Sequence, residues 1–477
     1  MILHNTLSGK KEEVEVKKGK RLNMFVCGPT VYDVSHIGHA RTYIAFDALV
    51  RFLRSEKYNV FYLQNITDVD DKIIDRALRE NTTPAKLAKE KENEYKKIMK
   101  RIGVISVTKY AEASKYIPEI IKQIQTLISR GHAYEIEGSG YYFDITSFED
   151  YGKLSRRTVA QAEDSVTRID EGIKKRNRGD FALWKYVSVA EKNKKKKFIL
   201  ENGEPAWNTK LGFGRPGWHI EDTAITEAFF GPQYDIHGGG EDLKFPHHDA
   251  EIAQQEAASG KKPFVKIWLH TGTIRVAGEK MSKSLNNFVT IEDFLKTNTA
   301  DTLRWLIISH HYRSPINFEN EILNNAVQSL DTLNSFREKL LFVAKTNKGK
   351  KDSDNNLESN IKKANEKFFE SLRDDFNTPA AIASLFEFMT IYKSNPWDMS
   401  PKEAKKAEKV IKDAFTIFGI STKTAGIPSK ISKLAKEREL CRRNKQFAQS
   451  DDLRQSITQL GYSIDDTPLG PFVRKVQ

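Results

Sequence analysis

Residues 25–53 read FVCGPTVYDVSHIGHARTYIAFDALVRFL. With the residues on either side, this stretch sets the architecture. RLNMFVCG, residues 21–28, predicts a strand ending at Gly28. HARTYIAFDALVRFLRSE then places Ile44, Ala45, Ala48, Leu49 and Leu53 at helical spacing. NVFYLQNITD, residues 59–68, reads as the next strand. Strand, helix, strand in this order means parallel strands joined by a right-handed crossover. The same stretch holds Cys27, one of only two cysteines in the chain, and two histidines, His36 and His39, around Ile37 and Gly38.

The chain has 477 residues, too many for one core, which predicts several domains. Hydrophobic residues at 39% and charged residues at 30% fit a globular protein. No apolar run reaches the roughly 18 residues of a membrane span. MILHNTLSGKKEEVEVKKGK has no apolar core before a small-residue cleavage site, so no secretion signal is read there. Two cysteines exclude a disulfide framework and point to a reducing cytoplasm. The net charge of +13 suits a polyanionic partner, although a lysine-rich composition alone would produce it.

The α/β texture of residues 1–108 breaks off over 109–202. There GSGYYFDITSFEDYGKLS is rich in turns and aromatics, and EGIKKRNRGDFALWKYV and EKNKKKKFIL are basic and hairpin-like. This reads as an insertion between two halves of one domain. The α/β texture resumes over 203–300, where YDIHGGGEDLKFPHHDAEIAQQEAASG gives a strand, a glycine-rich loop and a helix begun by Pro246. The remainder is almost wholly helical. Polar linkers near 345–360 and 421–430 divide it into regions 301–345, 346–420 and 421–477.

Two motifs carry chemistry. SHIGHARTY sets His36 and His39 three apart at a helix start, where unpaired N–H groups and a partial positive charge accept phosphate. Gly38 lets a ring or phosphate approach the backbone. A capped helix with two surface histidines fits the spacing equally well. GEKMSKSLNN, residues 278–287, sets Lys280 and Lys283 three apart in a loop, where mobile ammonium groups neutralise charge on a departing pyrophosphate. A solvated lysine-serine loop is the plain alternative.

In this order the two motifs resemble the HIGH and KMSKS signatures of class I aminoacyl-tRNA synthetases. CGPTVYDVSHIGHAR, NITDVDDKII, GDFALWK, GWHIE, DIHGGGEDLKFPHHDAEIAQ, HYRSPINF and DDFNTPAA together resemble the cysteinyl-tRNA synthetases, from about Leu22 to Arg474. The resemblance implies a Rossmann-like parallel-sheet catalytic domain split by an insertion. A stem-contact region, a helical tRNA-binding domain and a small C-terminal anticodon unit would follow it. It implies activation of L-cysteine with ATP and Mg2+, and transfer to tRNA(Cys), by a cytoplasmic monomer. His36, His39, Lys280 and Lys283 would be catalytic. Gly38, His39, Gly238, Gly239 and Lys283 would meet ATP. Cys27, Thr30, Thr67, Trp218 and Asp242 would meet cysteine.

The family holds zinc with two cysteines, a histidine and a glutamate. Cys27, His247 and Glu251 match three of these, and the i, i+4 spacing of the last two puts them on one helix face. Such a metal answers a specificity problem. Apolar pockets separate near-isosteres such as cysteine and serine by only about 100-fold, whereas Zn2+ binds and deprotonates a thiol. The family's second cysteine follows GWHIE, but here that position is Asp222. Cys441 lies far away and reads as a helix-packing residue. Three readings stay open: zinc on Cys27, Asp222, His247 and Glu251; another divalent ion there; or no metal, with polar groups holding the thiol directly. Arg442, Arg443, Lys445 and Arg454 on the last basic helical unit suit RNA phosphates, and no base-reading residue is assigned there. Rival readings are a cysteine ligase acting on a small amine and an inactive RNA-binding paralogue. The long basic tail speaks against the first, and the intact histidine and lysine motifs speak against the second.

Overall fold

In the computed structural model, residues 1–17, 19–158, 161, 174–187, 204–276, 278–281, 287–352, 354–424 and 426–476 are described. The chain divides into two units, one of residues 1–300 and 312–317, the other of residues 301–311 and 318–477.

The first unit opens with a hairpin, β1 (Ile2–Asn5) and β2 (Lys10–Glu13). The predicted strand, helix and strand follow as β3 (Arg21–Val26), α1 (Ile37–Ser55) and β4 (Asn59–Ile66). β3 and β4 are parallel, with Met24 opposite Tyr62 and Val26 opposite Gln64. Met24, Phe25, Val26, Tyr62 and Leu63 are all fully buried, as in a sheet covered on both faces. α2 (Asp71–Arg79) and α3 (Pro84–Arg101) return the chain to β5 (Lys109–Glu112), which pairs parallel with β4. The departure from the parallel sheet therefore begins after Glu112.

After α4 (Ile117–Ser129) the chain builds an antiparallel sheet: β6 (Ala133–Ile136), β7 (Gly140–Phe143), β8 (Phe181–Tyr186), β9 (Trp207–Thr209) and β10 (Gly212–Pro216), in the order β6-β7-β8-β10-β9. This sheet runs on to Pro216, beyond residue 202, because β8 and β10 pair across the segment between them. The basic run EKNKKKKFIL lies outside the described residues.

α5 (Trp218–Phe230), β11 (Tyr234–Gly240), α6 (Asp249–Ser259) and β12 (Val265–Thr271) complete the first unit's main layer. The predicted helix start at Pro246 moves to Asp249. Residues 244–248 form a wide turn in which Phe245 is extended, at φ −135° and ψ 134°. The central sheet has the order β12-β11-β3-β4-β5, and every pairing in it is parallel. From β3 the chain winds one way through β4 and β5, then returns on the other side as β11 and β12. The strand order thus reverses between β3 and β11, and a crevice opens beyond their carboxyl ends at such a point.

A small sheet, β14-β13-β15, follows from β13 (Ile274–Val276), β14 (Glu279–Lys280) and β15 (Ile316–Phe318). α7 (Ile291–Thr297) and α8 (Ala300–Ile308) lie between β14 and β15 in the chain.

The second unit is helical: α9 (Asn320–Thr346), α10 (Leu357–Arg373), α11 (Thr378–Tyr392) and α12 (Pro401–Phe418). It ends in α13 (Ser429–Arg443), α14 (Phe447–Gln459) and a hairpin, β16 (Tyr462–Thr467) and β17 (Gly470–Lys475). This end piece has its own small core of Ile431, Ala435, Ile457 and Ile464. Cys441 is buried in α13, as expected.

Candidate active site and metal centre

A cavity of about 400 Å³ occupies the crevice, in the range of small-molecule sites. Thr30, His36, Gly38, His39, Trp218 and Asp242 line it, joined by Cys27 at the carboxyl end of β3. These residues come from three separate segments of the sequence, 27–39 and the stretches around 218 and 242. They meet because β3 and β11 are neighbours: the Cys27 N–H donates to the Gly238 carbonyl at 3.1 Å.

His36 is the N-cap of α1, and the two histidines cap the helix reciprocally. The His39 N–H donates to His36 Nδ1 at 3.3 Å, and the His36 N–H donates to His39 Nδ1 at 3.3 Å. The rings stack 3.8 Å apart. Because each Nδ1 accepts, the ring proton belongs on Nε2, where it can donate to an anion in the cavity. Burial lowers the His36 pKa to about 4, with Asp242 opposing, and burial lowers that of His39 well below its usual value. Both rings are neutral donors near pH 7. Gly38 is required by the stack, since a Cβ there would come within 2.7 Å of the His36 ring.

Beneath the cavity floor lies a buried polar cluster. His247 Nε2 sits 3.0 Å from Asp222 Oδ2 and 2.9 Å from Glu251 Oε1. Cys27 Sγ is 3.9 Å from Glu251 Oε1. α5 supplies Asp222, α6 supplies Glu251, the turn before α6 supplies His247, and β3 leads into Cys27. His219 Nδ1 lies 2.8 Å from His247 Nδ1 and orients that ring. Trp218, half-buried in the cavity wall, stacks on His247 at 4.2 Å.

These residues fit a divalent cation. Ligand atoms of Cys27, Asp222, His247 and Glu251 all lie within 4.8 Å of one another, and all four residues are buried. Asp222 Oδ1 and Glu251 Oε2 are buried with no hydrogen-bond partner, a costly state unless a cation meets them. Burial, reinforced by Glu251 and Asp222, pushes the Cys27 thiol pKa well up. Burial raises that of Glu251, with His247 opposing. Burial would lower the His247 pKa, but Glu251 and Asp222 outweigh it and hold it up to about 9. Without a cation, the cluster satisfies its charges by keeping protons; a divalent ion replaces them.

A second group, Cys27, His237, His248 and Glu251, overlaps the first. Here the histidines flank the sulfur, with Nε2 atoms at 3.3 Å and 3.1 Å from Cys27 Sγ. Each ring is anchored at its other nitrogen. His237 Nδ1 lies 2.7 Å from the Tyr234 hydroxyl, and His248 Nδ1 lies 2.8 Å from His270 Nε2. His270 Nδ1 in turn lies 2.8 Å from Thr6 Oγ1. Such anchored imidazoles orient a neighbouring ligand. Glu251 is common to both sets, and its Oε2 lies 3.5 Å from His237 Nδ1. The Asp222 set is the better cage, because it adds the unpartnered Asp222 Oδ1 and lies under Trp218 in the cavity wall.

Three residues named from sequence do not face the cavity. Thr67 is buried and donates to Glu221 Oε2 at 2.9 Å, beneath the floor. A Cβ on Gly238 would meet the Phe46 ring at 2.4 Å, and one on Gly239 would meet the His248 ring at 2.7 Å. These two glycines let α1 and the histidine cluster close on β11, while Gly240 lines the cavity. Lys280 lies in β14; Lys283 falls outside the described residues. Lys72 was not anticipated, although NITDVDDKII contains it. It lines the cavity with its ammonium 5.7 Å from the Tyr32 ring and 6.0 Å from the Trp218 ring. It forms no ion pair among the described residues. His219, His237, His248 and His270 were also unassigned. Their signal was the crowding of histidines into GWHIE, DIHGGG, FPHHD and WLHTG, in a chain with only 11 histidines.

Comparison with known proteins gives concordant results. Residues 13–328 match the family described as tRNA synthetases class I (C) catalytic domain, and residues 367–422 match the DALR domain. A cysteine–tRNA ligase of Caldicellulosiruptor saccharolyticus is 39% identical over 483 residues, covering 100% of both chains. One from Thermoplasma volcanium is 41% identical over 467 residues, covering 98% of each. Among solved structures, Mycobacterium tuberculosis methionyl-tRNA synthetase in complex with methionyl-adenylate superposes with a TM-score of 0.60 at 14% identity, over 84% of this chain and 90% of that one; this likeness concerns the fold alone.

Proposed function

The chain belongs to the cysteine–tRNA ligase family of class I synthetases, and from that premise we propose how its residues divide the work. The reaction is ATP-dependent activation of cysteine followed by its transfer to tRNA, in protein synthesis. The observation that carries the site assignment is the cage of Cys27, Asp222, His247 and Glu251 under a cavity walled by the His36–His39 pair.

Cysteine lies with its side chain toward Cys27 and the cage, against Trp218 and Thr30. Zn2+ held by Cys27, Asp222, His247 and Glu251 would supply a soft site for a thiolate and so set cysteine apart from serine. Asp242 holds the substrate ammonium, and Thr67 acts at one remove by fixing Glu221 beneath the floor. ATP, with Mg2+ on its phosphates, would lie over Gly38 and over Gly240 at the end of β11, while Gly238 and Gly239 act at one remove by letting α1 and the histidine cluster close on that strand. The Nε2–H groups of His36 and His39 donate to phosphate oxygens. The substrate carboxylate attacks the α-phosphorus, and the bond to the bridging oxygen of pyrophosphate breaks. Lys280 and Lys283 neutralise the charge growing on that leaving group. Because the nucleophile is already ionised, the reaction needs no general base, and alignment with charge stabilisation carries the rate.

Residues 301–345 act as the stem-contact region, 346–420 as the helical tRNA-binding domain and 421–477 as the anticodon unit. The halves 1–108 and 203–300 form the catalytic domain around the insertion 109–202. No helix among the described residues is long and apolar enough to cross a membrane. As a translation enzyme, the protein is proposed to work in the cytoplasm, as a monomer.

The test is ATP–pyrophosphate exchange with cysteine or serine, together with charging of tRNA(Cys). Lys283→Ala should slow adenylate formation at saturating ATP by about 100-fold or more, the scale of a lost charge-stabilising group. An unchanged rate with a large rise in the ATP dissociation constant would overturn the lysine's role.

A further inference from the structure

We propose that Asp222 makes metal retention at this centre depend on the amino acid substrate, a deepening that rests on the metal reading above. The cage offers one sulfur, from Cys27, one imidazole nitrogen, from His247, and two carboxylates, from Asp222 and Glu251. The only other cysteine in the chain, Cys441, lies in α13 of the second unit. When all three acidic ligands are ionised, they carry three negative charges. A second thiolate in place of Asp222 would leave that total unchanged. Asp222 therefore alters the softness of the cage and not its charge. Thiolate holds zinc-like ions more firmly than carboxylate does, so the empty enzyme holds its ion on a single soft bond.

The substrate supplies what the cage lacks. A cysteine side chain arriving at the open position brings a second thiolate and raises the metal's sulfur count from one to two. By linkage, the ion then tightens cysteine binding by the same factor that cysteine tightens ion binding. The geometry favours this coupling. Asp222 Oδ1 is buried with no hydrogen-bond partner, so this oxygen is left for a cation. Oδ2 is shared with His247 Nε2 at 3.0 Å, the same nitrogen that faces Glu251. Serine, an oxygen donor, cannot supply the missing sulfur.

The experiment measures metal affinity, not activity. The full chain is stripped, and Zn2+ and Co2+ are titrated in competition with a chromophoric chelator. Each titration is run alone, with the sulfamoyl analogue of cysteinyl-adenylate, and with its seryl counterpart. The analogues are used at stoichiometric amounts, so that free thiol does not sequester the metal. The cysteinyl analogue should tighten Zn2+ binding about 5- to 150-fold, the usual span of such couplings, and the seryl analogue should leave it nearly unchanged. The sulfur-to-cobalt charge-transfer absorption should grow when the cysteinyl analogue is added. Asp222→Cys should bind Zn2+ more tightly when empty and show a smaller cysteinyl effect. Asp222→Asn keeps the side chain's shape but loses its charge, and should bind metal more weakly in every state.

Zn2+ affinity that is the same with and without the cysteinyl analogue would overturn the coupling. So would an equal effect in Asp222→Cys, or native-like binding by Asp222→Asn, which would make Asp222 a prop for His247 only. No metal bound in any state, by a protein fully active in pyrophosphate exchange, would instead overturn the metal reading on which the proposal rests.

Discussion

At the scale of single residues, the site works by withholding water from groups that ordinarily titrate. His36, lowered to about 4 by burial, should stay neutral through the range in which exposed histidines gain a proton. Its ring resonances in an NMR titration should remain flat from pH 7 to 5; a midpoint near 6.5 would contradict the neutral-donor assignment. The unfolded chain takes up this proton first. The His36 contribution to stability is therefore complete above about pH 6.5 and is lost as the pH falls through about 4. Lys72 gives a second prediction at this scale. Its ammonium lines the cavity beside Tyr32 and Trp218, where it can meet an anionic group of a substrate. Lys72→Met should lower the rate of adenylate formation about 10- to 100-fold, with thermal stability within about 0.5 kcal/mol of native because the side chain is exposed. A native rate would remove it from the site. The sequence exposed Cys27, Asp222, His247 and Glu251 because family motifs bracket each of them. It hid Lys72, which lies within NITDVDDKII but on α2, where no spacing rule ties it to the crevice.

At the scale of elements, the amino end of α1 is the decisive piece. Two side chains and one missing side chain define it. Gly38→Ala would place a methyl group 2.7 Å from the His36 ring and force the stack apart. Cysteine-dependent pyrophosphate exchange should fall by about 10-fold or more, the low end for misplaced catalytic groups, while far-ultraviolet circular dichroism stays native. Full activity would show that the stack is dispensable. The periodicity of HARTYIAFDALVRFLRSE revealed this helix, because one face is apolar at regular intervals. The start of α6 was misread, because proline commonly opens a helix, whereas here the extended Phe245 delays the regular turn to Asp249. β5 was left out of the parallel sheet because four residues, KYAE, are too short for alternation to register.

At the scale of the whole molecule, activation and charging should separate. All residues assigned to activation lie in the first unit. In the second unit, Phe447 opens α14 with 61% of its surface exposed, close in sequence to Arg442, Arg443 and Lys445. An exposed ring among cations suits stacking of an unpaired base, worth about 1–3 kcal/mol. Phe447→Ala should raise the tRNA concentration needed for charging about 5- to 150-fold, the equivalent of that range, and leave pyrophosphate exchange unchanged. Equal loss of both activities would refute the division. Truncation near residue 420 is a coarser test, because the final hairpin also packs inward. Phe472 lies 5.4 Å from Phe342, and Arg474 pairs with Asp331 on α9 at 2.5 Å. The polar linkers made the division legible in sequence. This inward packing was not legible, since a run such as GPFVRK does not declare its neighbour.

The adjacency of β3 and β11 has a consequence for how the chain is made. Cys27 and Gly238 hydrogen-bond across that pairing but are separated by most of the first unit's sequence. At a translation speed of about 5–20 residues per second, roughly 10–40 seconds pass between the emergence of the two strands. Throughout that interval the nascent β3 has one apolar edge with no partner, in the state that invites association with other chains. The ligand cage is likewise incomplete until α6 has left the ribosome. Productive synthesis should therefore depend on a chaperone holding the first half. In a reconstituted translation system without chaperones, the fraction of soluble, exchange-active protein should fall, and it should recover when the holding chaperone is restored during synthesis but not after it.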